Sequence, residues 1–540
     1  MRRTWAVSSL WLVVAGCGTS TASESADARA DGTTHSDGGP TGDALAGKDA
    51  STSDGSAQVD PSVYQHHRNG SRDGLYIDPV FTKTAAATTH VLTGFMGTVS
   101  SNVYAQPLYV ENGPGGVETF IVATESNHVT AFNATTGDTI WDVGPTTIGV
   151  AVDSTTGAIS CGSTNPNPFG ITGTPYIDIG SRAIFFDAYT TPDDNKTFKH
   201  MVYALKLDDG TVLPNWPVDV SAKVAGFTSS RQKQGGALQF LNGVLYVGYG
   251  GLNGDCDPYY GWVIGFDTAT PQTPTGWHTT AMRGGIWGSG SLPTDGTSIF
   301  PVTGNTQGAD GTWGGGEAVI RLAPGPTFSG NTADYYAPTN WQALDNSDTD
   351  LGGASEVLVD IPTAPKPHLV AAGGKDGNLY LLNRDNLGGI GAELLKLHVA
   401  NNEIKGAPAA YTTSLGTYVA MHVEGGAGIG CPAGQGAGGQ GGNMVVVKIN
   451  PGATFTAAVA WCSAETGLGS PMVTTTDGTS NAIVWNANNH LYGYDGDTGA
   501  KIVDGTNTAM TTAIEYWNTP INAKGRMVVG VNGQLYVFTP

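Results

Sequence analysis

Short runs in which apolar and polar positions alternate, each closed by Asn, Asp or Gly, fill the chain from about residue 100 onward. The clearest copy reads Thr119-Phe120-Ile121-Val122-Ala123-Thr124, a turn at Glu125-Ser126-Asn127-His128, then Val129-Thr130-Ala131-Phe132-Asn133. It continues through Ala134-Thr135-Thr136-Gly137 and ends at Trp141. A period of two predicts strands. Asn and Asp bond their own backbone in the turns, and Gly supplies the positive φ that closes them. The unit recurs roughly every 50 to 70 residues, the signature of a repeat architecture. Looser copies include Val202-Tyr203-Ala204-Leu205 with Asp209-Gly210 and Trp216, and Val263 to Asp267 with Trp277. Further ones are Lys375 to Asn383, Asn488 to Asp495 and Val531 to Phe538. No helical period runs longer than a turn or two.

Ahead of each copy stands a small-residue strand start. Eight are present: Gln106-Pro107, Thr174-Pro175, Gly235-Gly236, Gly288-Ser289, Gly353-Ala354, Ala407-Pro408, Ser470-Pro471 and Thr519-Pro520. Small residues suit strands converging on a central channel, where bulk would collide. The pattern predicts an all-β propeller of eight four-stranded blades, or seven if one copy is an insertion. Its last motif ends at the C-terminus, so the stretch from Leu75 to Phe95 is expected to supply the missing outer strand. Trp141, Trp216, Trp277 and Trp461 end their copies and read as packing plates between blades.

Composition sharpens this picture. Charged residues make up 13% and Gly numbers 79, which favours strands and tight turns over helices. The net charge of −21 argues against a nucleic-acid partner, whose phosphates need Lys and Arg. At the N-terminus, Arg2-Arg3, an apolar run from Trp5 to Val14 and Val14-Ala15-Gly16-Cys17 describe an export signal. It resembles the bacterial lipobox, which implies cleavage before Cys17 and lipid on that residue. Residues 1–16 are then a lipoprotein signal peptide and 17–60 a disordered acidic tether of Gly, Ser, Thr, Ala and Asp. Residues 61–540 form the propeller. The expected place is the cell envelope, at the outer membrane or cell surface, with the lipid as the one membrane contact and a monomeric body. An ordinary signal peptide with a chance cysteine is the alternative.

Cys161, Cys256, Cys431 and Cys462 remain, an even number in an exported chain, and read as two disulfides. Cys161–Cys256 and Cys431–Cys462 are the expected pairs among three connectivities.

The run Ala131-Phe132-Asn133-Ala134-Thr135-Thr136-Gly137 with Trp141 resembles the repeat of the pyrroloquinoline-quinone-like (PQQ-like) propellers. Ser101 to Tyr109, Tyr260-Gly261-Trp262-Val263, Gly285-Ile286-Trp287 and Val302-Thr303-Gly304-Asn305 resemble a group of secreted PQQ-like propellers. So do Asp348 to Gly352 and Asn383 to Asn386. The wider family includes quinoprotein dehydrogenases, which implies PQQ and calcium over the central channel as possible cofactors. Its alcohol-oxidising members stack the quinone on a disulfide of adjacent cysteines, and no two cysteines are adjacent here. The family also includes lipoproteins that assist outer-membrane protein assembly, which implies a scaffold role.

Candidate chemistry is sparse. Asp345, Asp348 and Asp350 lie within six residues and are candidate Ca²⁺ ligands, although the spacing also suits a polar loop closing a blade. Arg231, Gln234 and Trp287 are candidates to line the channel and hold a cofactor. Lys375, Arg384 and Asp385 flank one repeat and join that set, or else brace neighbouring blades. Gly434, Gly436 and Gly439 fit G-x-G-x-x-G but precede no helix, which a dinucleotide site needs. His66-His67 reads as a solvated pair beside the tether. With the adjacent cysteines absent and no haem motif, the sequence favours a non-catalytic binding module for a protein, peptide or glycan. A PQQ- and Ca-dependent alcohol or sugar dehydrogenase is the alternative.

Overall fold

In the computed structural model the described residues are 60–540, apart from 157, 158, 160, 162, 164, 309, 310, 427, 437–442, 465 and 466. The expected signal peptide, Cys17, the expected tether up to residue 59, and Gly439 lie outside them. Blade 1 shows how the repeat folds. Leu108–Val110, Thr119–Thr124, His128–Asn133 and Thr139–Val143 form an antiparallel sheet in chain order, from the axis outward. Ala131 stands opposite Ile121 on one side and Trp141 on the other. The described residues build eight such blades, which excludes the seven-blade count. In seven of them the inner strand begins at or beside its small-residue start; in blade 4 the first paired strand, Val302–Thr303, stands thirteen residues past Gly288-Ser289.

Those starts are small because they are laced together. Gln106 N donates to Thr174 Oγ1 (2.9 Å), Gly173 N to Gln234 Oε1 (3.2 Å) and Ala237 N to Ser289 O (2.9 Å). Gly290 N then donates to Ser355 Oγ (2.7 Å), Ser355 N to Gly406 O (3.0 Å) and Ala407 N to Ser470 Oγ (2.8 Å). Ser470 N reaches Asn518 O (2.9 Å), and Asn518 Nδ2 returns to Val103 O (2.6 Å). A closed belt of hydrogen bonds therefore joins blade to blade around the axis.

Closure follows the expected route. His90–Val91 and Gly97–Thr98 both pair with Gln534–Thr539 and complete blade 8. The residues before them do something unforeseen. From Val63 to Asp78 the chain visits the inner edge of every blade. Val63 bridges Tyr109, Tyr64 O accepts from Ile177 N, and Arg72 donates to Leu238 O and Ser291 O. Ser71, Asp73 and Gly74 carbonyls accept from Leu358, Ala410 and Val473, and Asp78 Oδ2 accepts from Gly525 N. Inner edges carry backbone groups without a partner, and this segment satisfies them as it plugs the axis. The solvated reading of His66-His67 is corrected here: the rings stack at 4.3 Å, 1% and 0% exposed.

The tryptophans pack as expected. Trp141 Nε1 donates to Leu207 O of blade 2 (3.0 Å), and Trp461 Nε1 to Gly496 O of blade 7 (2.8 Å). The motif glycine of the receiving blade lies against each ring. At Gly499, with φ +73°, a Cβ would stand 2.7 Å from Trp461 Cδ2, so both backbone and space demand glycine. Cys161 pairs with Cys256 and Cys431 with Cys462.

Candidate active site

One face of the propeller carries the loops between second and third strands, together with the segments that lead into each inner strand. Its chemistry concentrates where blades 3, 4 and 5 meet. Trp287 lies in a slot cut by glycines, its Nε1 donating to Gly251 O (3.0 Å). A Cβ on Gly250, Gly285 or Gly304 would fall 2.3–2.4 Å from the indole. The ring is half-buried, with Asp350 beside it: the same Cβ on Gly304 would be 3.0 Å from Asp350 Oδ1.

Asp350 is 2% exposed, accepts from Asn305 N (2.8 Å) and forms an ion pair with Lys375 Nζ. Burial pushes its carboxyl up, and the Lys375 ammonium opposes that shift. Glu317, fully buried, accepts from Leu351 N through one oxygen (2.6 Å). Its other oxygen, Oε1, has no partner, and neither does Asn305 Oδ1. Burial, then the Asp350 charge, hold the Glu317 carboxyl well above the usual range. On the blade 3 side Arg283 is clamped by Asp255 (2.9 Å) and Asp257 (2.7 Å), while Tyr259 Oη donates to Asp255 (2.7 Å).

The backbone here is strained. Asp255, Arg283, Glu317 and Asp348 have φ of +55°, +69°, +51° and +54°, a region that side-chain-bearing residues rarely occupy. Such strain collects at functional sites. The cluster opens into a cleft of about 500 Å³ lined by Asp255, Arg283, Asn305, Asp345 and Asp348 among others.

Nearer the axis lies a second group. Glu125 is fully buried and accepts from Gly170 N and Thr172 Oγ1 (2.7 Å each), yet burial pushes its carboxyl up to about 7. Burial also pulls Lys233 down to about 8, against the Glu125 charge. Lys233 Nζ donates to Asn253 Oδ1 (3.0 Å) and sits 4.9 Å over the Trp517 ring. Lys233 enters from blade 3 and Trp517 precedes blade 8, so the pair spans the channel mouth.

The sequence candidates divide. Trp287, Lys375 and Asp350 meet in one site. Asp345 is bound to Thr306 N (2.7 Å) and Oγ1 (2.9 Å), and Asp348 reaches Lys375 at 3.6 Å with its side chain 67% exposed. The three aspartates thus do not converge on one point. Among the described residues no group of three His, Cys, Asp or Glu is arranged to hold a metal ion. Gln234 belongs to the belt, and Arg231 is half-buried, its backbone bonded to Thr228 O and Leu252 N. Arg384 and Asp385 lie at the far end of the strand Asn378–Asn383 from Lys375, paired with Asp360 (2.7 Å) and His368 (2.9 Å). Asn305, Glu317, Asp255, Arg283, Glu125 and Lys233 were not legible as site residues. Only Asn305 sits in a stretch that carried the family resemblance.

The donors fit the cofactors the resemblance implies. Asn305 Oδ1, Glu317 Oε1 and the Asp350 carboxylate are hard oxygen donors of the kind calcium takes. Trp287 offers a planar wall, and Lys375 and Lys233 offer positive charge for an anionic quinone. A disulfide of adjacent cysteines is the missing part.

No family model matches the chain, and neither does any curated protein. Solved structures do match in fold. The quinohemoprotein alcohol dehydrogenase of Comamonas testosteroni superposes with a TM-score of 0.59 at 13% identity, over 88% of this chain and 80% of its own. A second such enzyme, from Pseudomonas putida HK5, gives 0.61 at 12%, over 89% and 80%. A europium-containing methanol dehydrogenase gives 0.59 at 14%, over 89% and 99%. The non-catalytic expectation is corrected by this finding: the architecture shared over nearly nine-tenths of the chain is that of quinoprotein dehydrogenases.

Proposed function

We propose that the chain is a quinone- and divalent-cation-dependent oxidoreductase acting on a hydroxyl-bearing substrate at the cleft between blades 3, 4 and 5. The observation that carries the reading is the pair of buried, unpartnered oxygens, Asn305 Oδ1 and Glu317 Oε1, beside Asp350. Leaving such groups unmade is expensive, and a hard cation would repay it. Asn305, Glu317 and Asp350 would hold that cation. Trp287 would carry the flat face of the quinone, with Lys375 charged at its rim. When bound, the quinone supplies the two-electron acceptor and the cation polarises it. The Asp350 carboxylate, ion-paired to Lys375 Nζ, would take the proton a substrate hydroxyl gives up. The resemblance of Val14 to Cys17 to a lipobox supports an envelope location for this activity.

The test is a titration of the full chain with PQQ and Ca²⁺, followed by calorimetry and quinone absorbance. Saturable binding at micromolar concentration or tighter, dependent on Ca²⁺ and lost in Asp350→Asn, is the expected result. No heat and no spectral change would overturn the reading.

A further inference from the structure

One loop touches both halves of the site without supplying a group to the chemistry. Gly251 O accepts from Trp287 Nε1, and Tyr259 packs edge-on against that indole with centroids 6.3 Å apart. Between them Asn253 Oδ1 accepts from Lys233 Nζ, and Asp255 and Asp257 clamp Arg283. The loop thus joins the Trp287 slot to the Lys233 group nearer the axis. Its own turns, from Asp255 N to Leu252 O (3.0 Å) and from Asp257 N to Asp255 O (2.9 Å), run through positive φ at Gly254 (+87°) and Asp255 (+55°). Backbone of that kind persists only where its surroundings impose it.

The connection between blades 1 and 2 imposes it. Asn165 Oδ1 accepts from Asn253 N (3.1 Å), and Cys161 is bonded to Cys256, which stands between the two aspartates. The Cys161 carbonyl oxygen lies against Gly254, 2.4 Å from where a Cβ would stand. The same connection holds Glu125 through Gly170 N and Thr172 Oγ1. Cys161 and Cys256 are both partly exposed, whereas Cys462 of the second disulfide is buried. A reductant therefore has access to the first bond.

We infer that the Cys161–Cys256 disulfide is a positioning latch: closed, it holds Trp287 and Lys233 in place for the bound quinone, and a dithiol that opens it disables the site. Opening takes two electrons and two protons from the dithiol, which is left as a disulfide while Cys161 and Cys256 become thiols. A disulfide oxidant restores the bond by the reverse exchange. The inference rests on the proposed function for the identity of the ligand, but not for the hold on Lys233.

The test uses the full chain and two readouts. Acetylation of Lys233 by an amine reagent, read by mass spectrometry, reports the loop without any ligand, and titration with PQQ and Ca²⁺ reports the site. In Cys161→Ser/Cys256→Ser, Lys233, now 3% exposed, is expected to label at least about tenfold faster through local opening. PQQ is expected to bind that variant at least about tenfold more weakly. Cys431→Ser/Cys462→Ser, which removes the blade 6 disulfide, is expected to change either readout by less than about twofold. Dithiothreitol on the unmutated chain should reproduce the first variant and reoxidation should reverse it, which a failure to fold would not do. Unchanged labelling once alkylation shows both Cys161 and Cys256 as thiols, or equal changes in the two variants, would refute the inference. So would PQQ binding indifferent to the latch. A latch that governs Lys233 in a chain that takes no PQQ in either state would sink the oxidoreductase reading and leave the hold on Lys233 standing.

Discussion

Blades 6 and 4 use their chain in opposite ways. Blade 6 has strands of ten, eight, seven and eight residues, Ile404–Thr413, Gly416–Val423, Met444–Asn450 and Thr456–Ser463. Blade 4 keeps only Val302–Thr303, Ala318–Ile320 and Tyr335–Ala337, with Gly389–Ile390 added in parallel outside. In blade 6 the ladder satisfies the backbone. In and beside blade 4, buried carboxylates take over that work, with Asp350 accepting from Asn305 N, Asp345 from Thr306 N and Glu317 from Leu351 N. The regular blade stores stability, while the irregular one uses its chain for loops that hold charges in place.

The largest expected effect separates the two blades by their tryptophans. Trp461 is fully buried between blades 6 and 7. Trp461→Ala should cost about 3–5 kcal/mol, as truncation of buried aromatics does. Trp287 is partly exposed, so Trp287→Ala should cost less than that, about 2–3 kcal/mol, yet abolish quinone binding. Equal losses in urea unfolding would break the contrast.

Next comes the ionic pair of each region. Asp350→Ala leaves Asn305 N without its partner and Lys375 with only the exposed Asp348, and should cost about 1–3 kcal/mol. In blade 6, Lys405 bridges Glu403 (2.9 Å) and Glu424 (3.0 Å) with a quarter of its side chain exposed. Lys405→Met should cost about 1 kcal/mol or less. Denaturant midpoints at constant slope read both.

The difference between these blades also explains how far the sequence could be read. A period of two marks a strand wherever one exists, so the regular blades, the eight starts and the tryptophan plates were legible. The plug from Val63 to Asp78 has no period, because its backbone follows eight other edges rather than one sheet. Lys375 and Arg384 look adjacent in sequence, yet a six-residue strand carries them roughly 20 Å apart at about 3.3 Å per residue. Glu317 and Asp350 look unrelated and meet only because blade 4 gives its length to loops. Proximity along a strand misleads about sites, and proximity between loops leaves no local signal.

Acid should move the two regions in opposite directions. Burial raises Glu356, the first residue of blade 5, to about 8. Its stabilising contribution is fully present below the unfolded value of about 4.5 and is lost as pH rises through 8. Burial lowers His422 of blade 6 to about 4. Its contribution is present above the unfolded 6.5 and is lost as pH falls through 4. Hydrogen-exchange protection, corrected for the intrinsic pH dependence of amide exchange, should therefore fall in blade 5 as pH rises from 5 to 9, and Glu356→Gln should flatten that slope. Corrected protection in blade 6 should fall only on acidification towards pH 4. A slope of the same sign in both blades would show that burial does not govern these groups.

The smallest effect is the most discriminating, because it holds chemistry and burial constant. Ser355 Oγ accepts from Gly290 N (2.7 Å) in the belt between blades 4 and 5, and Ser470 Oγ accepts from Ala407 N (2.8 Å) between blades 6 and 7. Each serine is about 1% exposed or less. Serine to alanine at either place should cost about 1 kcal/mol, the worth of one such bond. Ser355, however, lies against Gly288, the residue after Trp287: a Cβ there would be 2.6 Å from its Oγ. Ser355→Ala should therefore weaken quinone binding several-fold as the Trp287 slot loosens, while Ser470→Ala leaves it unchanged. If both variants lower stability alike and neither touches the quinone, the belt is a uniform hoop, and the site on blade 4 is held by its carboxylates alone.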